Sequence, residues 1–119
     1  MIKSPLITLN LLFILLITLS SRSFSLSIED YDKERGISSD KLDVFISGLG
    51  QGYFWSNVIL AADKKNTLYC QPQTLILTTE DYLAIIDKQL AKHRKNWGTD
   101  VSIEMILFLG LAATYPCPN

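Results

Sequence analysis

The chain has 119 residues, of which 48% are hydrophobic, and its formal net charge at pH 7 is −1. The charge is unevenly placed: residues 1–25 contain two bases and no acid, whereas the remaining 94 residues carry nine bases and twelve acids. A body of about 100 residues has the size of one small domain. Its hydrophobic content excludes an intrinsically disordered protein, and its acidic balance argues against a general nucleic-acid binder, because such a surface repels phosphate.

The first 25 residues have the pattern of a secretory signal peptide. Lys3 supplies a positive start, and an apolar run of 14 residues ends at Leu19. Spanning a bilayer takes about 20 apolar residues, so this run has the length of a signal h-region. Small residues place the predicted cleavage after Ser25 or after Ser27, with an uncleaved anchor as the alternative. After cleavage we expect no stable insertion in a membrane.

Export gives a structural meaning to the two cysteines, Cys70 and Cys117, because an oxidising compartment favours their pairing. The bridge would close a loop of about 48 residues, and loop-closure entropy puts its stabilisation at ~4 kcal/mol. The functional alternative is a nucleophile pair between one cysteine and His93, the only histidine. Two cysteines and one histidine are one ligand short of a closed tetrahedral zinc site. We therefore expect one disulfide, no metal and no cofactor.

Hydrophobic spacing predicts an all-α fold for residues 40–119, a small single-domain bundle of three main helices. These helices are predicted at about 40–63, 79–95 and 100–114. The last one is almost wholly apolar, which is typical of a central core helix. The preceding segment, 26–39, is charged and weakly periodic, which predicts a short flexible or loosely helical lead-in.

Residues that favour helix starts set these boundaries. Apolar residues recur at helical spacing from Leu42 onward in the first helix. Thr78 or Thr79 is a suitable N-cap for the second helix, and Thr99 or Asp100 for the third.

Three small residues of the first helix, Gly48, Gly52 and Ser56, are spaced by four and therefore share one side of it. Such a row lets another helix approach closely. That helix either belongs to the same chain or to a second copy in a homodimer. A phosphate-binding loop is a poor interpretation, since no strand precedes the glycines.

The densest charge cluster begins at the end of the second helix and continues into a turn. The candidate partner-binding residues there are His93, Arg94, Lys95, Asn96, Trp97, Gly98 and Thr99. In the structural interpretation, these cations complement the dipole of a solvated helix end. In the functional interpretation, they form a recognition patch, because a tryptophan beside basic groups on a loop is a typical interface anchor. Alternatively, Trp97 covers the core.

No set of residues in the sequence combines a nucleophile, a base and an oxyanion site. Glu80 and Asp81 fit the positive start of the second helix, and Asp63 and Glu104 have no obvious partner. We therefore predict a binding protein without catalytic residues rather than an enzyme.

Three segments together form a pattern: Leu68-Tyr69-Cys70-Gln71-Pro72, a threonine-capped helix with Tyr82-Leu83, and an apolar helix that ends in Ala112-Ala113-Thr114-Tyr115-Pro116-Cys117. This pattern resembles the Tai-type immunity proteins, the periplasmic antidotes to type VI secretion amidase effectors, and in particular the fourth class of that system. The related Rap-type immunity proteins share the Cys-x-Pro and Tyr-Pro-Cys ends. The resemblance covers about residues 42–117.

The resemblance implies a small helical domain with one disulfide between Cys70 and Cys117, whose ends are shaped by Pro72 and Pro116. It also implies a periplasmic protein, often a homodimer, that binds a peptidoglycan amidase effector and blocks its cysteine–histidine active site. The family's inhibitory contacts lie on a protruding loop and on helix surfaces, and the turn 93–100 is the best candidate here. Two other functions stay open: a periplasmic acid-stress chaperone and a lysozyme-type inhibitor.

Overall fold

The computed structural model describes residues 25–98 and 101–118, so the predicted signal peptide lies outside the described residues except for Ser25. The described residues form four α-helices: α1 Ile28–Gly36, α2 Asp40–Ala62, α3 Thr79–His93 and α4 Ile103–Thr114. A short 3-10 helix, Arg94–Asn96, directly follows α3. The predicted all-α class is confirmed. The expected count of three main helices is wrong, because α1 is a fourth.

Helix α1 lies in segment 26–39, for which the sequence predicted a flexible or loosely helical lead-in. Ser27 caps the helix, and its hydroxyl accepts a hydrogen bond from the Asp30 backbone N–H at 3.1 Å. Ile28 and Tyr31 are the only buried residues among the nine of the helix. Two buried positions produce little hydrophobic periodicity, which is why the sequence pattern understated this helix.

Polar side chains around Asp87 attach α1 to α3. The Tyr31 hydroxyl donates to Asp87 at 2.6 Å, and the Arg35 guanidinium pairs with the same carboxylate at 3.2 Å. A second ion pair joins Arg94 to Asp32 at 2.7 Å. Burial and the bond to Asp87 raise the pKa of Tyr31 above its usual value, so its hydroxyl keeps its proton and donates.

The chain before α1 runs antiparallel to the chain before α4. Ser27 and Ser102 form an isolated β-bridge, and the Ile103 N–H donates to the Leu26 carbonyl at 2.9 Å. Ser102 then caps α4, since its hydroxyl accepts from the Met105 N–H at 3.3 Å. Helix α4 therefore begins at Ile103 and not at residue 100, because Ser102 is held in an extended conformation by this pairing.

The core lies mainly between α3 and α4, with α1, α2 and the segment before α3 packed around them. The largest fully buried side chains are Tyr31, Ile46, Tyr69, Tyr82, Leu83, Ile86, Ile103, Ile106, Leu107 and Leu111. Gly110 lets α3 and α4 approach closely, because an added Cβ would overlap the Ile85 side chain. Helix α4 buries only one face, and Met105 and Leu109 remain exposed. The predicted core helix therefore supplies Ile103, Ile106, Leu107 and Leu111 to the core, but from one face only.

Helix α2 extends beyond the core. Its three buried residues are Leu42, Ile46 and Gly50. The part from residue 51 to Ala62, which we call the projecting part, has no fully buried residue, although Tyr53 packs against the core. None of the helices described here combines the length and apolar character needed to cross a membrane.

We expect Tyr31→Ala to lower the free energy of unfolding by about 3 kcal/mol, because it removes a buried aromatic ring and the donor to Asp87. Ile37, which follows the same helix, is 74% exposed. Ile37→Ala is the matched control and should change that free energy by less than about 0.5 kcal/mol. Urea denaturation of both variants measures the difference. If both substitutions change the free energy of unfolding by the same small amount, α1 is not part of the cooperative core.

Candidate functional site

Residues 63–78 link α2 to α3, and we call this segment the connector. The Cys70–Cys117 disulfide joins it to the chain that follows α4, with a Cα–Cα distance of 4.8 Å. The Cys70 N–H also donates to the Tyr115 carbonyl at 2.8 Å. The disulfide prediction is confirmed. The alternative of a cysteine–histidine nucleophile is wrong, because both cysteines are in the bridge and neither thiol is free.

Asn57 of α2 fixes the connector from the opposite side. Its side-chain oxygen accepts from the Leu68 N–H at 2.7 Å, and its amide nitrogen donates to the Tyr69 carbonyl at 2.9 Å. The bridge and these two bonds hold a segment without regular secondary structure against α2. Sequence reasoning missed Asn57, although an amide within an apolar helical stretch is a signal that could have identified it.

The turn after α3 brings most of the predicted partner-binding residues together. The rings of His93 and Trp97 lie 5.1 Å apart between centroids at an angle of 34°. Trp97 is half-buried and packs against the core, whereas Gly98 is exposed. The interpretation of Trp97 as a cover over the core is therefore favoured over a freely exposed interface anchor.

Part of the charge in this turn is used within the fold. Arg94 binds Asp32 through two hydrogen bonds of 2.7 and 3.0 Å, and this contact raises the pKa of Arg94. Lys95 and Asn96 are exposed. Thr99, the last predicted residue of the cluster, lies outside the described residues. The turn therefore offers a partner less free charge than its sequence suggests.

The row of Gly48, Gly52 and Ser56 lies on an exposed side of α2. Within the described residues, a Cβ built at either glycine would meet nothing within 4 Å outside the helix itself. The close packing expected of the row occurs instead at Gly50, where an added Cβ would overlap the Tyr82 ring. Residues two apart differ by about 200° around a helix, so Gly50 faces the opposite side. Among the described residues no other part of the chain packs closely on the two glycines of the row, and the dimer interpretation stays a prediction.

The projecting part of α2 and the connector carry a group of exposed apolar side chains, which we call the apolar surface. Its members are Trp55 (58% exposed), Val58 (40%), Ile59 (61%), Leu68 (39%), Leu75 (37%) and Ile76 (84%). Single exposed apolar residues are ordinary in soluble proteins, whereas a large contiguous apolar patch is typical of an interaction site.

Two grooves lie between α2 and the connector. The larger, of about 340 Å³, has Phe54 and Val58 on the helix side and Tyr69 and Gln71 on the connector side. The smaller, of about 190 Å³, shares Phe54 and Gln71 and extends to Ile76. Of the apolar surface, Val58 lines the larger groove and Leu75 and Ile76 line the smaller one.

Two buried polar atoms belong to residues that line the larger groove. The hydroxyl oxygen of Tyr69 and the side-chain oxygen of Gln71 have no hydrogen-bond partner among the described residues. Leaving such an atom without a partner costs about 1–3 kcal/mol. Burial raises the pKa of Tyr69 to about 12, with smaller contributions from Tyr82 and Tyr115.

The carboxylate pair Glu80 and Asp81 belongs to the start of α3, as the sequence indicated. Asp81 accepts from the Thr78 N–H at 2.7 Å, and the Thr78 hydroxyl accepts from the Asp81 N–H at 3.3 Å. This reciprocal capping box lowers the pKa of Asp81, chiefly through the bond from the Thr78 backbone. Asp81 therefore has a structural role in ending the connector.

Within residues 25–98 and 101–118, no group of three or more His, Cys, Asp or Glu side chains is arranged to hold a metal ion. Comparison with protein-family models, with curated proteins and with solved structures finds no match to this chain. The assignment of a function therefore rests on the residues and the geometry of the chain itself.

We expect Cys70→Ala/Cys117→Ala to lower the free energy of unfolding by about 4 kcal/mol, the loop-closure value for this bridge. Urea denaturation under oxidising conditions measures the loss. Reductant should destabilise the wild type by the same amount and leave the double variant unchanged. A double variant as stable as the wild type would refute a clamping role for the bridge.

The two buried tyrosines Tyr69 and Tyr31 should respond differently to loss of the hydroxyl group. Tyr69→Phe should leave the free energy of unfolding unchanged or raise it, because the hydroxyl has no partner in the fold. Tyr31→Phe, the matched control, should lower it by about 1 kcal/mol or more, because Asp87 loses its donor. Equal losses from both substitutions would mean that the Tyr69 hydroxyl is bonded.

Alkaline titration gives a second readout of Tyr69. An unfolded tyrosine ionises near pH 10, whereas Tyr69 in the fold has a pKa of about 12. The stability due to this difference is complete below pH 10 and is lost as the pH rises towards 12. Tyr69→Phe should reduce this alkaline loss of stability.

Proposed function

We propose that this chain is a periplasmic immunity protein that binds a type VI secretion peptidoglycan amidase and occludes its active site. The apolar surface on α2 and the connector is the observation that carries the proposal. An inhibitor needs a surface that a partner covers, and this surface exposes Trp55, Ile59 and Ile76 to solvent. The resemblance of the sequence to Tai-type immunity proteins supplies the class of partner.

The rigidity of the connector supports inhibition by insertion into a cleft. The Cys70–Cys117 bridge and the bonds from Asn57 fix its backbone before any partner binds. Preorganisation lowers the ordering cost of association, so more of the contact free energy appears as affinity. Ile76, at 84% exposure, is the most exposed large apolar side chain of the connector and the first candidate for insertion.

Two surfaces compete for the contact with the amidase. The turn from His93 to Gly98 was expected from the sequence, but Trp97 packs on the core and Arg94 is paired with Asp32. We therefore assign the main contact to the apolar surface and keep the turn as the second candidate.

The proposal includes export by residues 1–25 and a homodimer that uses the exposed row of Gly48, Gly52 and Ser56. A disulfide in a small domain is consistent with an oxidising compartment such as the periplasm. The chain itself acts as a binding protein and not as an enzyme.

We expect the purified domain, in excess, to abolish peptidoglycan cleavage by the amidase encoded beside it. Two parallel assays separate the alternatives. Inhibition of lysozyme would indicate a lysozyme-type inhibitor, and protection of an aggregating client protein at low pH would indicate an acid-stress chaperone. Undiminished cleavage at a saturating concentration of the domain would defeat the proposal.

Substitutions then locate the interface. Ile76→Asp and Trp55→Ala should each weaken amidase binding by more than about 1 kcal/mol, as is typical of interface anchors. Ile37→Asp is the matched control, because Ile37 is 74% exposed but lies on α1. Binding is measured by calorimetry, with circular dichroism to verify folding. If Lys95→Ala weakens binding and Ile76→Asp does not, the contact lies on the turn.

A further inference from the structure

We propose that export cleavage falls between Ser25 and Leu26, and that the amino terminus so created forms an ion pair with Glu104. Hydrolysis of this peptide bond by water leaves a carboxylate on Ser25 and a protonated amine on Leu26. The inference rests on the export part of the proposed function and is independent of the amidase.

The sequence allows cleavage after Ser25 or after Ser27, and the two products differ in what they keep of the fold. Leu26 is 7% exposed, and its carbonyl accepts the Ile103 N–H at 2.9 Å. Ser27 caps α1 and forms the β-bridge to Ser102. Cleavage after Ser27 would remove a core side chain, the cap of α1 and the pairing that fixes the start of α4. Cleavage after Ser25 removes none of these.

Glu104 is placed to receive the new terminus. The Leu26 nitrogen lies 3.3 Å from one carboxylate oxygen of Glu104, and the exposed Ser25 hydroxyl lies 3.3 Å from the other. In the uncleaved chain that nitrogen is a neutral amide, whereas after cleavage it is an ammonium in front of a carboxylate. After cleavage both the donor and the acceptor carry a charge, so Coulomb attraction adds to the hydrogen bond.

The position of Glu104 is itself fixed. Its backbone carbonyl accepts the Tyr53 hydroxyl at 2.8 Å, which anchors the first turn of α4 to α2. An acid in the first turn of a helix also interacts well with the helix dipole. The dipole favours an acid throughout this turn, but it does not account for both carboxylate oxygens contacting residues 25 and 26. The contact of Glu104 with residues 25 and 26 is thus independent of its interaction with the helix dipole.

The full chain, expressed in a bacterium and recovered from the periplasm, tests the cleavage site by intact-mass measurement and N-terminal sequencing. We expect Leu26 as the first residue. A protein that begins at Ile28, or that keeps residues 1–25, overturns the inference. If a protein cleaved elsewhere still inhibits the amidase, only the cleavage inference fails. If a protein that begins at Leu26 does not inhibit the amidase, only the proposed binding function fails.

The ion pair is tested with Glu104→Gln in a chain that begins at Leu26, with its amino terminus either free or acetylated. The substitution should lower the melting temperature of the free-amine chain by about 3 °C, as expected for one ion pair in a domain of this size. The acetylated chain is the matched control, because its residue 26 carries no ammonium, and its loss should be clearly smaller. Equal losses in both chains would refute the ion pair.

Discussion

The connector between α2 and α3 has no regular secondary structure, and its position depends on the covalent bond between Cys70 and Cys117. The bond ties it to the end of α4, whose buried face forms much of the core. Hydrogen bonds between the Asn57 side chain and the connector backbone then hold it against α2. A helix stabilises its own backbone by hydrogen bonds, whereas a loop of this kind needs such external partners. The shape of the exposed apolar surface therefore depends on the bridge.

The length of α2 is the second constraint on this surface. Its buried residues end at Gly50, but the helix continues to Ala62 and carries Trp55 and Ile59 into solvent. Exposed apolar side chains add nothing to the stability of an isolated domain and promote association. Tyr53 and Asn57 of this projecting part serve the fold, whereas the exposed Trp55 and Ile59 are the side chains that the proposed partner would cover. The connector lies beside Phe54 and Val58 of the same part and exposes Leu75 and Ile76.

The parts of the fold that were predicted from the sequence are those that hydrophobic periodicity and helix caps specify locally. Periodicity gave α2, α3 and most of α4, and Thr78 is one of the two N-caps that the sequence suggested for α3. Helix α1 was understated because only Ile28 and Tyr31 of its nine residues are buried. The start of α4 at Ile103 depends on pairing between Ser27 and Ser102, which are far apart in sequence. Nonlocal pairing of this kind leaves no periodic signal.

The candidate site was harder to predict than the fold. The spacing of the glycines places Gly50 opposite Gly48 and Gly52, but only tertiary packing decides which side meets Tyr82. The apolar surface was missed for a similar reason, since Trp55 and Ile59 continue the helical pattern of the core residues before them. An apolar residue at helical spacing indicates burial only as far as the core extends.

The turn after α3 illustrates how one pattern serves two roles. An aromatic residue beside cations is typical of an interface, yet Trp97 lies against His93 and packs on the core, and Arg94 holds Asp32 of α1. Both side chains therefore stabilise the fold before any partner arrives. Exposed charges at the rim of an interface act mainly on the association rate, whereas buried apolar contacts govern dissociation. The exposed Lys95 suits the first role and the apolar surface the second, so the two regions could act on a single partner without sharing one contact area.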